Sequence, residues 1–221
     1  MSSLHHPILE QSFAVIDREI GDHTFTSQEY AIVRRVIHST ADFEFRELLR
    51  FSPGAIERAI TGLAKGVPIV TDVTMVKQGI LTLVGKTFQN PVIAAVEQAS
   101  VVEPGRTRTE TGLLTCWQQF PEAIYVIGNA PTALLALCEQ INQCQPIHQP
   151  IDQPIRQQSP DNAKTPTIVI GAPVGFIAVV ESKQALAQTA VPQIRVEGRK
   201  GGSPVAAAIL NALLVLAWEQ S

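Results

Sequence analysis

Aromatic residues make up only 5% of this 221-residue chain, and 17 Lys and Arg stand against 20 Asp and Glu. A nucleic-acid binder needs a basic footprint and, for single strands, aromatic stacking platforms, so both deficits argue against such a partner. Cysteine is scarce as well. Cys116, Cys138 and Cys144 are odd in number and lack the close paired spacing of a zinc site or redox dithiol, so they read as reduced thiols. No run of about eighteen apolar residues occurs, and Met1 to Pro7 contains no apolar signal core. The expectation is a cytoplasmic protein with no membrane partner. The glycine spacings of a P-loop and of a Rossmann dinucleotide site are also missing. His5, His6, His23 and His148 have no metal-ligand spacing, and Ser182 lacks the flanking glycines of a nucleophile elbow.

With 45% hydrophobic and 17% charged residues, the composition is that of a folded globular protein, long enough for one sizeable domain over residues 1–221. Short apolar runs at Pro68 to Thr71, Val92 to Val96, Ala123 to Ile127, Thr167 to Ile170 and Gln193 to Val196 read as buried strands. Helical spacing separates them at Ser27 to Ser39, Pro53 to Lys65, Pro131 to Ile141, Ser182 to Gln188 and Ser203 to Trp218. This alternation predicts an α/β fold with a doubly wound, mainly parallel sheet of about five strands. The Ala/Leu-rich last helix carries more apolar surface than one sheet face is expected to cover. Around residues 143–165, proline recurring every fourth residue forbids a regular helix and predicts a surface insertion.

In such sheets ligands bind beyond the carboxyl ends of the strands. The residues there are polar or glycine: Thr71-Asp72, Gly128 to Thr132, Gly171 to Gly175 and Gly198 to Ser203. Arg35 and His38 share one helix face at i, i+3, which sets an imidazole able to exchange a proton beside a guanidinium able to hold a carboxylate. Taken as an isolated pair, a helix-capping His38 and a solvated Arg35 are the simpler reading. Gly105 to Glu110 opens a helix with amides and guanidinium groups, and by itself also reads as a solvated turn. The Gly198 to Ser203 loop suits a carboxylate held by Lys200 and backbone N–H groups, or equally a tight turn under the last helix.

These strings, in this order, resemble the precorrin-8X methylmutase family, which includes the cobalt-precorrin-8 methylmutases. The resemblance spans nearly the whole chain. It is carried by Gln11 to Asp17, Arg35-Val36-Ile37-His38, Pro68 to Asp72 with Met75-Val76, Gly105 to Thr109, Ile127 to Leu134, Gly171 to Phe176, Glu181-Ser182-Lys183 and Gly198 to Ser203. It implies a flavodoxin-like subunit in a homodimer, no redox cofactor, and a polycarboxylate tetrapyrrole as substrate and product. The implied reaction is a 1,5-shift of a methyl group from carbon 11 to carbon 12 of the ring, giving hydrogenobyrinic or cobyrinic acid. His38 matches the catalytic histidine, Ser12 and Arg35 match substrate-contacting positions, and Arg108 matches the arginine of the family's T-R-S motif. Thr109 stands where that motif has serine, and the Pro/Gln-rich insertion is long for the family. A non-catalytic tetrapyrrole carrier is the alternative, and His38 beside Arg35 is the feature that separates the two.

Overall fold

Three- and four-residue β-branched runs supply the sheet, and amphipathic helices cover both its faces. The structure is a computed structural model that describes residues 7–144 and 165–221. The greater part of the expected Pro/Gln-rich insertion therefore lies outside the described residues, as do His5, His6 and His148.

The described elements run α1 (Pro7–Ile20), α2 (Ser27–Thr40), α3 (Phe45–Leu48), β1 (Leu49–Phe51), α4 (Ala55–Ala64), β2 (Ile69–Thr71), α5 (Thr74–Lys86), β3 (Val92–Ala94) and α6 (Ala95–Gln98). They continue with α7 (Arg108–Gln119), β4 (Ile124–Ile127), α8 (Pro131–Cys144), β5 (Ile168–Gly171), α9 (Val179–Ala187), β6 (Gln193–Val196) and α10 (Ser203–Glu219). The strands lie in the order β1-β6-β5-β4-β2-β3, and all neighbours are parallel except β1 on β6. Counting the parallel strands alone, the order is 2-1-3-4-5, the flavodoxin-like winding.

The sheet thus has six strands where about five were expected. The extra one, β1, is the three-residue edge strand Leu49-Arg50-Phe51, antiparallel to β6 with Leu49 opposite Val196. Three residues are too few to show a period, and a neighbouring helical turn runs straight into them.

Side chains alternate across the sheet as the pleat requires. Ile69, Ile124, Val126, Ile168, Ile170, Ile194 and Val196 face the core shared with α2, α4, α5 and α10. Val70, Tyr125, Ile127 and Val169 face the core shared with α7 and α8. Helix α10 is apolar nearly all round because it lies between the sheet and other helices: α2, α4 and α5 all pack on it. Its surplus apolar surface is therefore covered within the chain. No described helix is long and apolar enough to cross a membrane.

Candidate functional site

A capping box starts α2: Thr26 accepts from the Glu29 amide, and the Glu29 side chain accepts from the Thr26 amide. The helix ends at Ala41, whose left-handed backbone (φ 54°) turns the chain sharply. His38 stands in the last turn and is exposed, while Arg35, one turn earlier, is half-buried. The position of that turn is set by an ion pair. Lys200, just past the carboxyl end of β6, binds Asp42 at 2.5 Å and Glu44 at 2.7 Å in the segment that follows α2. The His38 end of α2 therefore lies at the carboxyl edge of the sheet, where doubly wound folds bind ligands.

The sequence holds two adjacent arginines with different fates. Arg34 pairs with Asp17 of α1 at 3.1 Å and lies over the Phe13 ring, 4.3 Å from its centroid. Arg35 has no ion pair among the described residues. It lines a cleft with Phe13, Ala31, Ala212, Val215, Leu216 and Glu219 between α1, α2 and α10. Burial pulls its guanidinium below the ordinary arginine range. Phe13 also meets His38 edge-on, with ring centroids 5.7 Å apart. Burial, and then the nearby Arg35 charge, hold the His38 imidazole below its ordinary value.

Ser12 sits one residue from Phe13 on α1, and its hydroxyl donates to the Ile8 carbonyl at 2.9 Å. The fold thus brings Arg35 and His38 to one corner against Phe13, and Ser12 is the residue next to Phe13 on α1. Lys200 lies close to the same corner, but its ammonium is engaged by Asp42 and Glu44. Arg108 lies elsewhere along the edge, as the first residue of α7, exposed and with no ion pair among the described residues. Its helix is capped by Thr107, whose hydroxyl also meets that of Thr132 at 3.1 Å, joining the starts of α7 and α8.

The topological switch point of this sheet, between β2 and β4, is closed by Asp72. Its fully buried carboxylate accepts from the amides of Gly128 (3.1 Å), Asn129 (2.6 Å), Ala130 (2.8 Å) and Val73 (2.9 Å). Burial pushes the Asp72 carboxyl above the ordinary carboxylate range, while the four amide bonds pull the other way. The amides at the start of α8, which in related folds cradle phosphate, are thus occupied by the protein's own carboxylate. A nucleotide-binding role loses its anion site. Asp72 appears in the sequence only as a polar residue after a strand, and nothing local marks it as the cap of a helix 57 residues on.

Apolar side chains share this edge with the cations. Nine large hydrophobic residues are exposed among the described residues, and six of them, Met75, Val101, Val102, Val174, Phe176 and Ile177, stand on or beside the loops at the carboxyl ends of β2, β3 and β5. Phe176 and Ile177 are each 85% exposed, and the Arg199 guanidinium lies 5.7 Å from the Phe176 ring centroid. In the sequence, Gly171 to Phe176 shows a loop and a motif, and nothing local marks the apolar wall that Phe176 forms. A wider groove at the opposite edge, lined by Ser52, Pro53, Thr189 and Gln193, lies at the amino end of β6. It holds none of the residues singled out above.

The family model for precorrin-8X methylmutase matches residues 7–151 and 155–216. A cobalt-precorrin-8 methylmutase of Synechocystis is 55% identical over the whole of both chains. A precorrin-8X methylmutase of Sinorhizobium is 34% identical over 93% of this chain and 92% of its own. Among solved structures, the precorrin-8X methyl mutase of Thermus thermophilus superposes with a TM-score of 0.83 at 39% identity, covering 97% of this chain and 99% of that one. The chain belongs to the precorrin-8X methylmutase family and is an isomerase, a methylmutase of cobalamin biosynthesis.

Proposed function

We propose that the substrate is precorrin-8X or its cobalt complex, and that the enzyme moves the methyl group from carbon 11 to carbon 12 with His38 as the acid. The observation that carries this reading is the carboxyl edge, where the exposed apolar side chains of the loops after β2, β3 and β5 share the rim with Arg108 and Arg199 and the His38 end of α2 reaches it, with Arg35 in the cleft one turn below. A flat apolar ring fringed with carboxylates matches such an edge in both shape and charge. In the proposed reaction the methyl group leaves one ring carbon and reaches the other within the same molecule, so no donor is consumed. His38 hydrogen-bonds to or protonates a ring nitrogen as electron density drains toward it, and the proton returns when product leaves. Ser12, Arg35 and Arg108 bind substrate.

The depressed basicity of His38 fits this scheme. In the free enzyme the neighbouring Arg35 disfavours imidazolium. A substrate carboxylate on Arg35 offsets that charge, so binding itself makes His38 easier to protonate. Lys200 serves instead to hold the α2–α3 segment, and at most touches substrate from the wet rim. We also infer a homodimer in the cytoplasm, supported by the exposed apolar edge and by the free Cys116, Cys138 and Cys144.

Incubation of the purified protein with metal-free and with cobalt-containing substrate tests the function directly. The expected result is the visible spectrum of the corrin product from at least one of them. Binding of both without any spectral change to product would favour the carrier reading.

A further inference from the structure

Lys183, on α9, is only 3% exposed and has no ion pair among the described residues. Its ammonium donates instead to two carbonyls of one loop, that of Gly198 at 2.8 Å and that of Lys200 at 2.7 Å. A buried cation without a counter-ion costs stability, and here burial draws the ammonium down to about 8. What the residue supplies in exchange is the shape of that loop. A trans peptide points its C=O and the following N–H in opposite directions. With the carbonyls of Gly198 and Lys200 turned in to Lys183, the amides of Arg199 and Gly201 point away from it. Neither amide donates a hydrogen bond among the described residues. The loop is held on its other side by the Gly175 amide on the Arg199 carbonyl (3.3 Å) and the Gly202 amide on the Ala172 carbonyl (2.8 Å). Gly201, at φ 152°, would place any Cβ 2.4 Å from the Ala172 carbonyl oxygen, so only glycine fits this close approach. Arg199 is exposed, free of ion pairs among the described residues, and lies over the exposed Phe176 ring.

We propose that Lys183 is a positioning residue, which fixes the Gly198–Gly202 loop so that the outward amides of Arg199 and Gly201, with the Arg199 side chain, form a subsite for one peripheral carboxylate of the ring. This rests on the reading of the substrate given above. It moves the anion-binding role of this loop from Lys200, engaged by Asp42 and Glu44, to Arg199.

The experiment is titration of cobyrinic and hydrogenobyrinic acid into the full chain, with steady-state kinetics and thermal melting alongside. Wild type, Lys183→Met, Arg199→Ala and the double variant are compared. Each single variant is expected to weaken Kd and raise KM about tenfold, with kcat changed less than about threefold. The double variant is expected to be little weaker than either single one, because both remove the same subsite. Lys183→Met removes a buried charge but also leaves the Gly198 and Lys200 carbonyls without their donor, so melting serves to confirm that the variant folds. A residue that merely braced the core would leave Arg199→Ala uncoupled. Wild-type affinity in Arg199→Ala, or fully multiplicative losses of about a hundredfold in the double variant, overturns the proposal. If Lys183→Met does not fold, Lys183→Ala, which also lacks any donor to the Gly198 and Lys200 carbonyls, takes its place, and wild-type affinity there also overturns it. Failure of the wild type itself to bind or convert the ring counts against the proposed function. Normal wild-type turnover with unaffected variants counts against the subsite alone.

Discussion

His38 and Arg35 show how one residue sets the working range of another. Arg35→Ala is expected to raise the His38 pKa toward its ordinary value, because the second of the two causes that depress it is gone. Proton NMR titration of the imidazole measures this, and an unchanged value would separate the two side chains. Since kcat/KM follows the free enzyme and kcat the complex, the wild-type kcat/KM should fall at lower pH than kcat as pH rises. Arg35→Ala and Arg108→Ala are each expected to cost about 1.5–3 kcal/mol in product binding if each holds a carboxylate. His38→Ala should fold and bind product yet lose about a hundredfold to ten-thousandfold in single-turnover rate. Near-wild-type rates in that variant would make His38 structural. Lys183 adds a stability signature. Its folded pKa of about 8 lies below the unfolded value of about 10.4, so the unfolded chain binds more protons between them and its contribution to stability rises with pH across that window. Denaturant titrations at pH 7.5 and 9.5 should show that rise in wild type and lose it in Lys183→Met.

At the scale of elements, Asp72 joins β2 to the start of α8 across the switch point, and four amides share its carboxylate. Asp72→Asn keeps the shape but replaces an acceptor with an NH2 donor, which meets amides that also donate. The expected loss is about 2 kcal/mol or more, because buried donors are left without partners. Urea unfolding checks it, and an unchanged midpoint would mean that the turn finds other acceptors. The amides just before α8 find their acceptor not in their own turn but in Asp72, which follows β2 and stands 57 residues before Asn129. Helices α1 and α5 are not among the expected helices although Phe13, Ile16 and Ile20, and Val76, Ile80 and Val84, recur at helical spacing, and the structure packs those stripes on α2 and α10.

For the whole molecule, the apolar surface of the Ala/Leu-rich last helix, more than one sheet face covers, needs no partner subunit, since α2, α4 and α5 cover it. The apolar carboxyl edge takes over that role, with Phe176 and Ile177 each 85% exposed. A dimeric mass by light scattering at micromolar concentration is expected. A monomer there would assign the exposed side chains to the ring substrate alone.

What the sequence by itself determined was local. Periods of two and 3.6 marked five of the six strands and the principal helices, since side-chain direction repeats along the chain. The i, i+3 spacing put Arg35 and His38 on one face, and the ordered motifs pointed to the family. Tertiary structure alone decided which arginine of Arg34-Arg35 stays unpaired, that Lys200 is held by Asp42 and Glu44, and that Asp72 fills the anion hole of α8. It also decided that Lys183 lies beneath the Gly198–Gly202 loop. Each of these is a contact between residues far apart in the chain, chosen by the winding of the sheet, and such a contact leaves no period in the sequence to read.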